Sequence, residues 1–214
     1  MAKIKRPTLP QLNLRLEKIG KRFYQRWLFR DINHDFSEKP HLALVGTNGS
    51  GKSTLLRIIA GQLTPSEGRI QLSWDDGKSL SQDHLYQHLS WAAPYVELYP
   101  ELNLRELLDL HFSLKYCRLP EYQSIVEILD LKEHATKPLR WYSSGMIQRV
   151  KVGIAVLTES RFLLLDEPTS NMDEANAARI LSLIQKHSED RILVLASNLE
   201  REYGRIEHRI YLGS

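Results

Sequence analysis

Cysteine, long apolar runs and charge imbalance are all scarce in this chain. Cysteine occurs once in 214 residues, at Cys117. No internal disulfide can form, which suits a reducing compartment, and packing is the expected role of this residue within HFSLKYCRL. No stretch approaches the roughly 18 apolar residues of a membrane helix, and the opening MAKIKRPTLPQ has no apolar centre that could serve as a secretory signal. The expected location is therefore the cytoplasm, with any membrane role supplied by a partner. Lysine and arginine number 29 against 26 acids, a formal charge of +3. Lys3, Lys5, Arg6, Lys18, Lys21, Arg22, Arg26 and Arg30 load that small excess toward the start. It reads as a solvated basic edge, and no nucleic acid partner is expected, because polyanion binders carry a more lopsided excess and a recognisable reading element.

Further absences remove whole reaction classes. His84 and His88 stand four apart, but no carboxylate follows in the H-E-x-x-H manner and no third ligand is evident, so polar surface is their expected role. Ser53, Ser143 and Ser144 lack the nucleophile-elbow spelling that covalent hydrolysis needs. There is no internal repeat and no low-complexity tract.

What remains is enough for one substantial core, or a core with an attached subdomain: the chain is 42% hydrophobic and 26% charged. Strand-length apolar runs HLALVG, RFLLLD and RILVLAS alternate with helical patterns over Lys52 to Gln62 and near Glu174 to Lys186. That alternation predicts a mostly parallel sheet with crossover helices. LNLRLEKIG, WLFRDINHDF and GRIQLSW alternate apolar with polar residues, as an antiparallel edge sheet does. Between Pro94 and Thr158 the pattern turns helical, with NLRELLDLHFSL opening on Asn103 and carrying Glu106 three residues on, a capping box. EYQSIVEILDL and SSGMIQRVKVGIAVL predict two more helices. The expected plan is a single α/β domain over 1–214 with a helical insertion at about 95–158.

Chemistry enters with GTNGSGKST, Gly46 to Thr54, which satisfies G-x-x-x-x-G-K-[ST] between a strand and a helix. The glycines let backbone N–H groups wrap an anion, and the helix beginning at Gly51 points further unpaired donors at it. Gly46, Thr47, Asn48, Gly49, Ser50, Gly51, Lys52, Ser53 and Thr54 are the candidate phosphate cradle. Lys52 would meet the β and γ oxygens of a triphosphate, and the Ser53 hydroxyl would ligate Mg2+. RFLLLDEP supplies the second requirement, because two acids at a strand's carboxyl end are costly unless a cation or proton meets them. Asp166 is the expected metal-side acid, and Glu167 the residue that positions or deprotonates the attacking water.

Those two features define a nucleoside triphosphatase. YSSGMIQRVKVGIAVL, Tyr142 to Leu157, narrows it. This segment opens with a small, hydroxyl-rich turn at a helix start, a second anion-binding terminus. One nucleotide rarely needs two cradles, so Ser143, Ser144 and Gly145 are read as serving the nucleotide of a second copy.

Over nearly its whole length the chain resembles the nucleotide-binding domain of ABC ATPases. YSSGM resembles the LSGGQ signature, with Ser144 in place of a glycine and Met146 in place of glutamine. The order of P-loop, signature and acid strand matches, as do SNMD (Ser170 to Asp173) and GQLTPSEGRI. The resemblance implies a P-loop NTPase fold, an adenine-stacking aromatic at Phe23 with Tyr24 as second choice, and a head-to-tail dimer around two ATP. It further implies an ATP-hydrolysing motor subunit, pairing with a second nucleotide-binding subunit as homo- or heterodimer. That motor would drive a transmembrane permease from the inner face of the membrane, and the SSGM spelling resembles export systems.

Two further positions depart from the family pattern. Asn198 stands where the family places a histidine on the γ-phosphate, and Pro94 where it places a glutamine that couples magnesium to the helical part. Asparagine still donates through its amide but carries no proton, so slow hydrolysis by the isolated subunit is expected. The alternative is a soluble nucleotide-gated switch or scaffold; against it, the interval from Lys52 to Ser144 is too short for the long coiled coil of chromosome and repair relatives.

Overall fold

A computed structural model describes residues 12–74, 76–119 and 121–213. The earliest basic residues, Lys3, Lys5 and Arg6, lie outside the described residues. Contacts divide the chain into two compact units. Among the described residues one holds 12–89, 160–166 and 191–213, and the other holds 90–159 and 167–190.

The first unit contains two sheets. Strands β1 (Leu12–Phe23), β2 (Arg26–Asp35) and β4 (Glu67–Trp74) form an antiparallel sheet in the order β2-β1-β4, as the alternating segments predict. Leu12, Leu14 and Leu16 are buried on one face. The next buried residue is Ile19, out of step with that parity. Register shifts in both pairings of β1 absorb the extra residue near Lys18, whose φ is +50°. This bulge keeps Ile19 on the core face.

The parallel sheet of this unit runs β6 (Phe162–Asp166), β7 (Ile192–Ser197), β3 (His41–Val45) and β8 (His208–Tyr211). Strands β6 and β7 are buried throughout, which explains their unbroken apolar runs: helices cover both faces of a parallel sheet. Helix α1 (Lys52–Ile59) and the short α6 (Glu200–Tyr203) pack on β7. The periodic pattern predicts α1 as far as Gln62, but it ends at Ile59. Gly61 takes φ +75° and donates to the Ile58 carbonyl, while Gln62 donates to that of Arg57. This Schellman closure stops the helix one turn early.

The second unit is largely helical. Strand β5 (Leu89–Ala92) spans the point where the chain leaves the first unit, and α2 (Leu104–Leu114), α3 (Tyr122–Ile128), α4 (Ser144–Leu157) and α5 (Glu174–Lys186) follow. The capping box of α2 is formed in both directions, Glu106 N–H to Asn103 Oδ1 at 3.0 Å and Asn103 N–H to Glu106 Oε2 at 2.9 Å. Helix α4 packs on α5, and Val150, Val152 and Val156 of the one and Ile180 and Leu183 of the other are buried. In the same unit Arg118, 6% exposed, bridges Glu159 at 3.0 Å and Asp190 at 2.8 Å.

Candidate functional site

In the first unit three strand ends meet at one sheet edge. The parallel registers align Leu44 with Ala196 and Ala196 with Asp166, and one step further they align Val45 with Ser197. The loop after β3, the acid ending β6 and the asparagine after β7 therefore emerge at the same end, the carboxyl end of a parallel sheet, where open α/β folds place their ligands.

The loop between β3 and α1 is built closely. A Cβ on Gly46 would lie 2.5 Å from both the Leu212 carbonyl oxygen and Ser50 Oγ, so only glycine fits there. Thr47, Asn48 and Gly49 are exposed at its tip. Ser50 N–H closes the turn on the Thr47 carbonyl at 3.2 Å. Lys52 is 4% exposed, and its Nζ donates to the Gly46 carbonyl at 2.8 Å and to that of Thr47 at 3.0 Å. A buried ammonium bonded to two neutral carbonyls keeps an uncompensated positive charge. Helix α1 adds the positive end of its dipole and has no acid in its first turn. Together they suit an anion of several charges.

Phe23 ends β1 half-exposed, and Tyr24 follows it at the hairpin tip, fully exposed with φ +54°. An open groove of about 880 Å³ is lined by both rings, by Trp27 and Leu28 of the same hairpin, and by Thr47 to Ser50 of the loop. The structure thus brings the aromatic pair and the phosphate-type loop to one groove. Such a wall offers a flat π surface beside a cluster of backbone donors.

Asp166 is 2% exposed at the end of β6. Ser53 and Thr54, in the first turn of α1, are half-buried. No cluster of three His, Cys, Asp or Glu side chains with metal-binding geometry occurs among the described residues. A magnesium ion would instead draw on the Ser53 hydroxyl, Asp166, phosphate oxygens and water, the usual manner for this cation. Asn198 is exposed, and its Nδ2 donates to Asn48 Oδ1 at 3.4 Å.

The second unit carries the remaining predicted residues. Ser143 caps α4, its Oγ accepting the Met146 N–H at 3.2 Å. Ser143 and Ser144 are exposed. Gly145 has a local duty that the sequence does not reveal: a Cβ there would lie 2.6 Å from the Asn171 carbonyl oxygen. Asn171 takes φ +60° and Glu167 φ +46°, the latter with its carbonyl accepting from Gln148 Nε2 at 3.2 Å and Ser170 N–H at 3.1 Å. Left-handed backbone at two non-glycine residues of one turn is the kind of strain that concentrates at working sites. The Pro94 carbonyl accepts from Lys151 Nζ at 2.8 Å. In the first unit, His84 and His88 lie on a 3-10 segment, Gln82–His88. Its three-residue turn does not align positions four apart, and the His88 ring packs edge-on against Trp74 at 5.3 Å.

Residues 29–170 match the protein family described as ABC transporter. This chain belongs to the ABC transporter family. Relatives of this chain include the human phospholipid-transporting ATPase ABCA3, 32% identical over 187 residues, which cover 85% of this chain and 11% of that protein. The molybdate/tungstate import ATP-binding protein WtpC of Pyrococcus abyssi is 31% identical over 175 residues, 79% of this chain and 49% of WtpC. The chain therefore spans about half or less of those two relatives. A solved ATP-binding cassette, a dimeric post-hydrolysis state bound to ADP and Pi, superposes with a TM-score of 0.75 at 23% identity, covering 93% of this chain and 94% of that one. The ABC fold, a P-loop NTPase core with an antiparallel β part and helices, is thus the fold of this chain. No helix among the described residues is long and apolar enough to cross a membrane.

Proposed function

We propose that this chain is the ATP-binding and ATP-hydrolysing motor subunit of an ABC transporter, acting as a single domain over 1–214 with a helical part at about 95–158. It pairs head-to-tail with a second nucleotide-binding subunit around two ATP and drives a separate transmembrane permease from the cytoplasmic face. The observation that carries this reading is Lys52 Nζ, held on the Gly46 and Thr47 carbonyls at the foot of an anion cradle. Incoming β and γ oxygens replace those neutral acceptors with charged ones, which strengthens each bond.

In this reading Gly46 to Thr54 wrap the phosphates and Phe23 stacks on the base. Ser53 and Asp166 would hold Mg2+, which would supply charge neutralisation for the phosphates when bound. Glu167 orients or deprotonates the attacking water. Ser143, Ser144 and Gly145 face the nucleotide of the second copy. Asn198 donates one amide hydrogen bond where a histidine would donate and also carry a proton, so turnover by the isolated subunit is slow.

Phosphate release from Mg-ATP by the purified protein tests this. Asn198→His is expected to raise turnover about tenfold, part of the roughly 10²–10³ that a whole preorganised donor is worth in rate, because the amide already donates and the ring adds a longer reach and a proton. Glu167→Gln is expected to abolish turnover and leave an ATP-dependent dimer visible by light scattering. Fast wild-type turnover unchanged in Asn198→His refutes the role of Asn198, and a Glu167→Gln protein that stays monomeric at every ATP concentration refutes the dimer. Extraction from native membranes in mild detergent is expected to bring a multi-span partner; ribosomes in its place favour a soluble switch.

A further inference from the structure

The tip of the phosphate loop is held unevenly. Lys52 Nζ fastens the Gly46 and Thr47 carbonyls on its leading side, and Ser50 N–H closes the turn on Thr47. Gly49 has φ +82° with nothing within 4 Å of its Cβ position, so no packing fixes the tip on that side. A side chain that reaches the tip is Asn198, whose Nδ2 lies 3.4 Å from Asn48 Oδ1 across 150 residues of sequence. Asn198 is itself fixed from behind. Parallel pairing of Val45 with Ser197 sets the two segments side by side, and Ser197 Oγ accepts the Leu199 N–H at 2.9 Å, pinning the turn that contains Asn198.

We propose that Asn48 is a positioning residue, and that the Asn198–Asn48 amide pair holds the tip of the loop in its nucleotide-receiving shape before any γ-phosphate is present. The inference rests on the nucleotide-binding reading but assigns Asn198 a second task. As a γ-phosphate donor Asn198 is irrelevant to a diphosphate. As a tether of the tip it matters equally for ADP, because the α and β phosphates need the same loop. Asparagine suits the tether better than histidine would, since its amide is neutral at all working pH values and offers a donor at Nδ2 to the Asn48 Oδ1.

The test is Mg-ADP affinity by calorimetry on the full chain, with Asn48→Ala, Asn198→Ala and the double variant. Each single variant is expected to weaken Mg-ADP binding about two- to fivefold, and the double variant no more than the weaker single, the signature of two residues acting as one unit. Asn198→Gln, which keeps the amide, is expected to recover most of the loss. Unchanged melting temperature without nucleotide separates this from general damage. Wild-type ADP affinity in Asn198→Ala, or losses that multiply in the double variant, overturns the tether and leaves the γ-phosphate role standing. Failure of the wild-type protein to bind Mg-ADP overturns the nucleotide reading itself, and the tether with it.

Discussion

Gly145→Ala asks whether the signature-like glycine is needed inside one chain before any second copy arrives. The added Cβ would sit 2.6 Å from the carbonyl oxygen of Asn171 and 3.6 Å from its carbonyl carbon. Real carbon–oxygen contacts are longer, so the backbone at Asn171 must retreat by roughly half an ångström, and interiors transmit such displacements rather than absorb them. Asn171 has little freedom to do so. Its φ is +60°, its neighbours are tied through Ser170 N–H to the Glu167 carbonyl at 3.1 Å and Met172 N–H to that of Thr169 at 3.3 Å, and Asp173 caps α5. Overpacking of this kind costs about 1–3 kcal/mol. Alanine returns up to about 1 kcal/mol of helix propensity at an interior helical position, and less here in the first turn of α4. The expected net loss is about 1–2 kcal/mol, or a melting temperature lower by about 2–8 °C for a chain of this length. Thermal and urea unfolding of the nucleotide-free protein measure it. A variant as stable as the wild type, or more so, would mean that the 170–173 turn yields freely, and the argument that Gly145 sets its position would be wrong.

Two further outcomes follow from buried charge. Arg118→Ala leaves the carboxylate of Glu159, whose side chain is 9% exposed, without that cation, so urea unfolding is expected to show a loss of about 3–5 kcal/mol; a loss under about 1 kcal/mol would show that the network is dispensable. Burial holds the pKa of His34 and of His111 below the ordinary histidine value of 6.5; at His34 the hydrogen bond to the Lys39 carbonyl opposes this and the charge of His208 adds to it, and at His111 Lys115 adds to it. The unfolded chain therefore binds more protons than the native one below about pH 6.5. Stability supplied by the neutral rings is complete above that pH and lost as pH falls through the depressed native values. The melting temperature is expected to fall as pH drops below about 6.5, less steeply in a His34→Gln/His111→Gln variant; equal slopes would refute the assignment.

The parts of the fold legible in the sequence were those with a one-dimensional signature. β3, β6 and β7 announce themselves because both faces are buried, and α2 because its capping box is spelled in four residues. Strand β8 gives no such signal: its four residues are exposed or half-buried at the edge of the sheet, so HRIY reads as loop. The bulge at Lys18 shows in the sequence only as a break in parity, two polar residues between Leu16 and Ile19, which does not say how the partner strands absorb it. In the candidate site, the residues of the β3–α1 loop and the acid pair stood out in the sequence because the chemistry proposed for them fixes residue type and spacing. Left-handed backbone at Glu167 and Asn171, the carbonyl facing Gly145, and the meeting of Asn48 with Asn198 were not, because each depends on where a distant segment is carried by the fold.

Ser143 shows why a stability loss alone says little about a proposed intersubunit contact. Its oxygen already works within its own chain, accepting the Met146 N–H at 3.2 Å as the cap of α4. That bond uses a lone pair and leaves the hydroxyl hydrogen free to be donated to a phosphate, so cap and anion ligand are compatible in one side chain. Ser143→Ala removes both and is expected to cost about 1 kcal/mol of stability even in a protein that never dimerises. Ser143→Asp separates them. Aspartate is as good a cap as serine, and its charge favours the positive end of α4, but it offers no donor and repels a triphosphate. The Ser143→Asp variant is expected to melt at or above the wild-type temperature while losing the ATP-dependent dimer formed in a Glu167→Gln background. Retention of that dimer despite the aspartate would show that the start of α4 does not face a phosphate, and the Ser143 hydroxyl would be left with capping as its whole function.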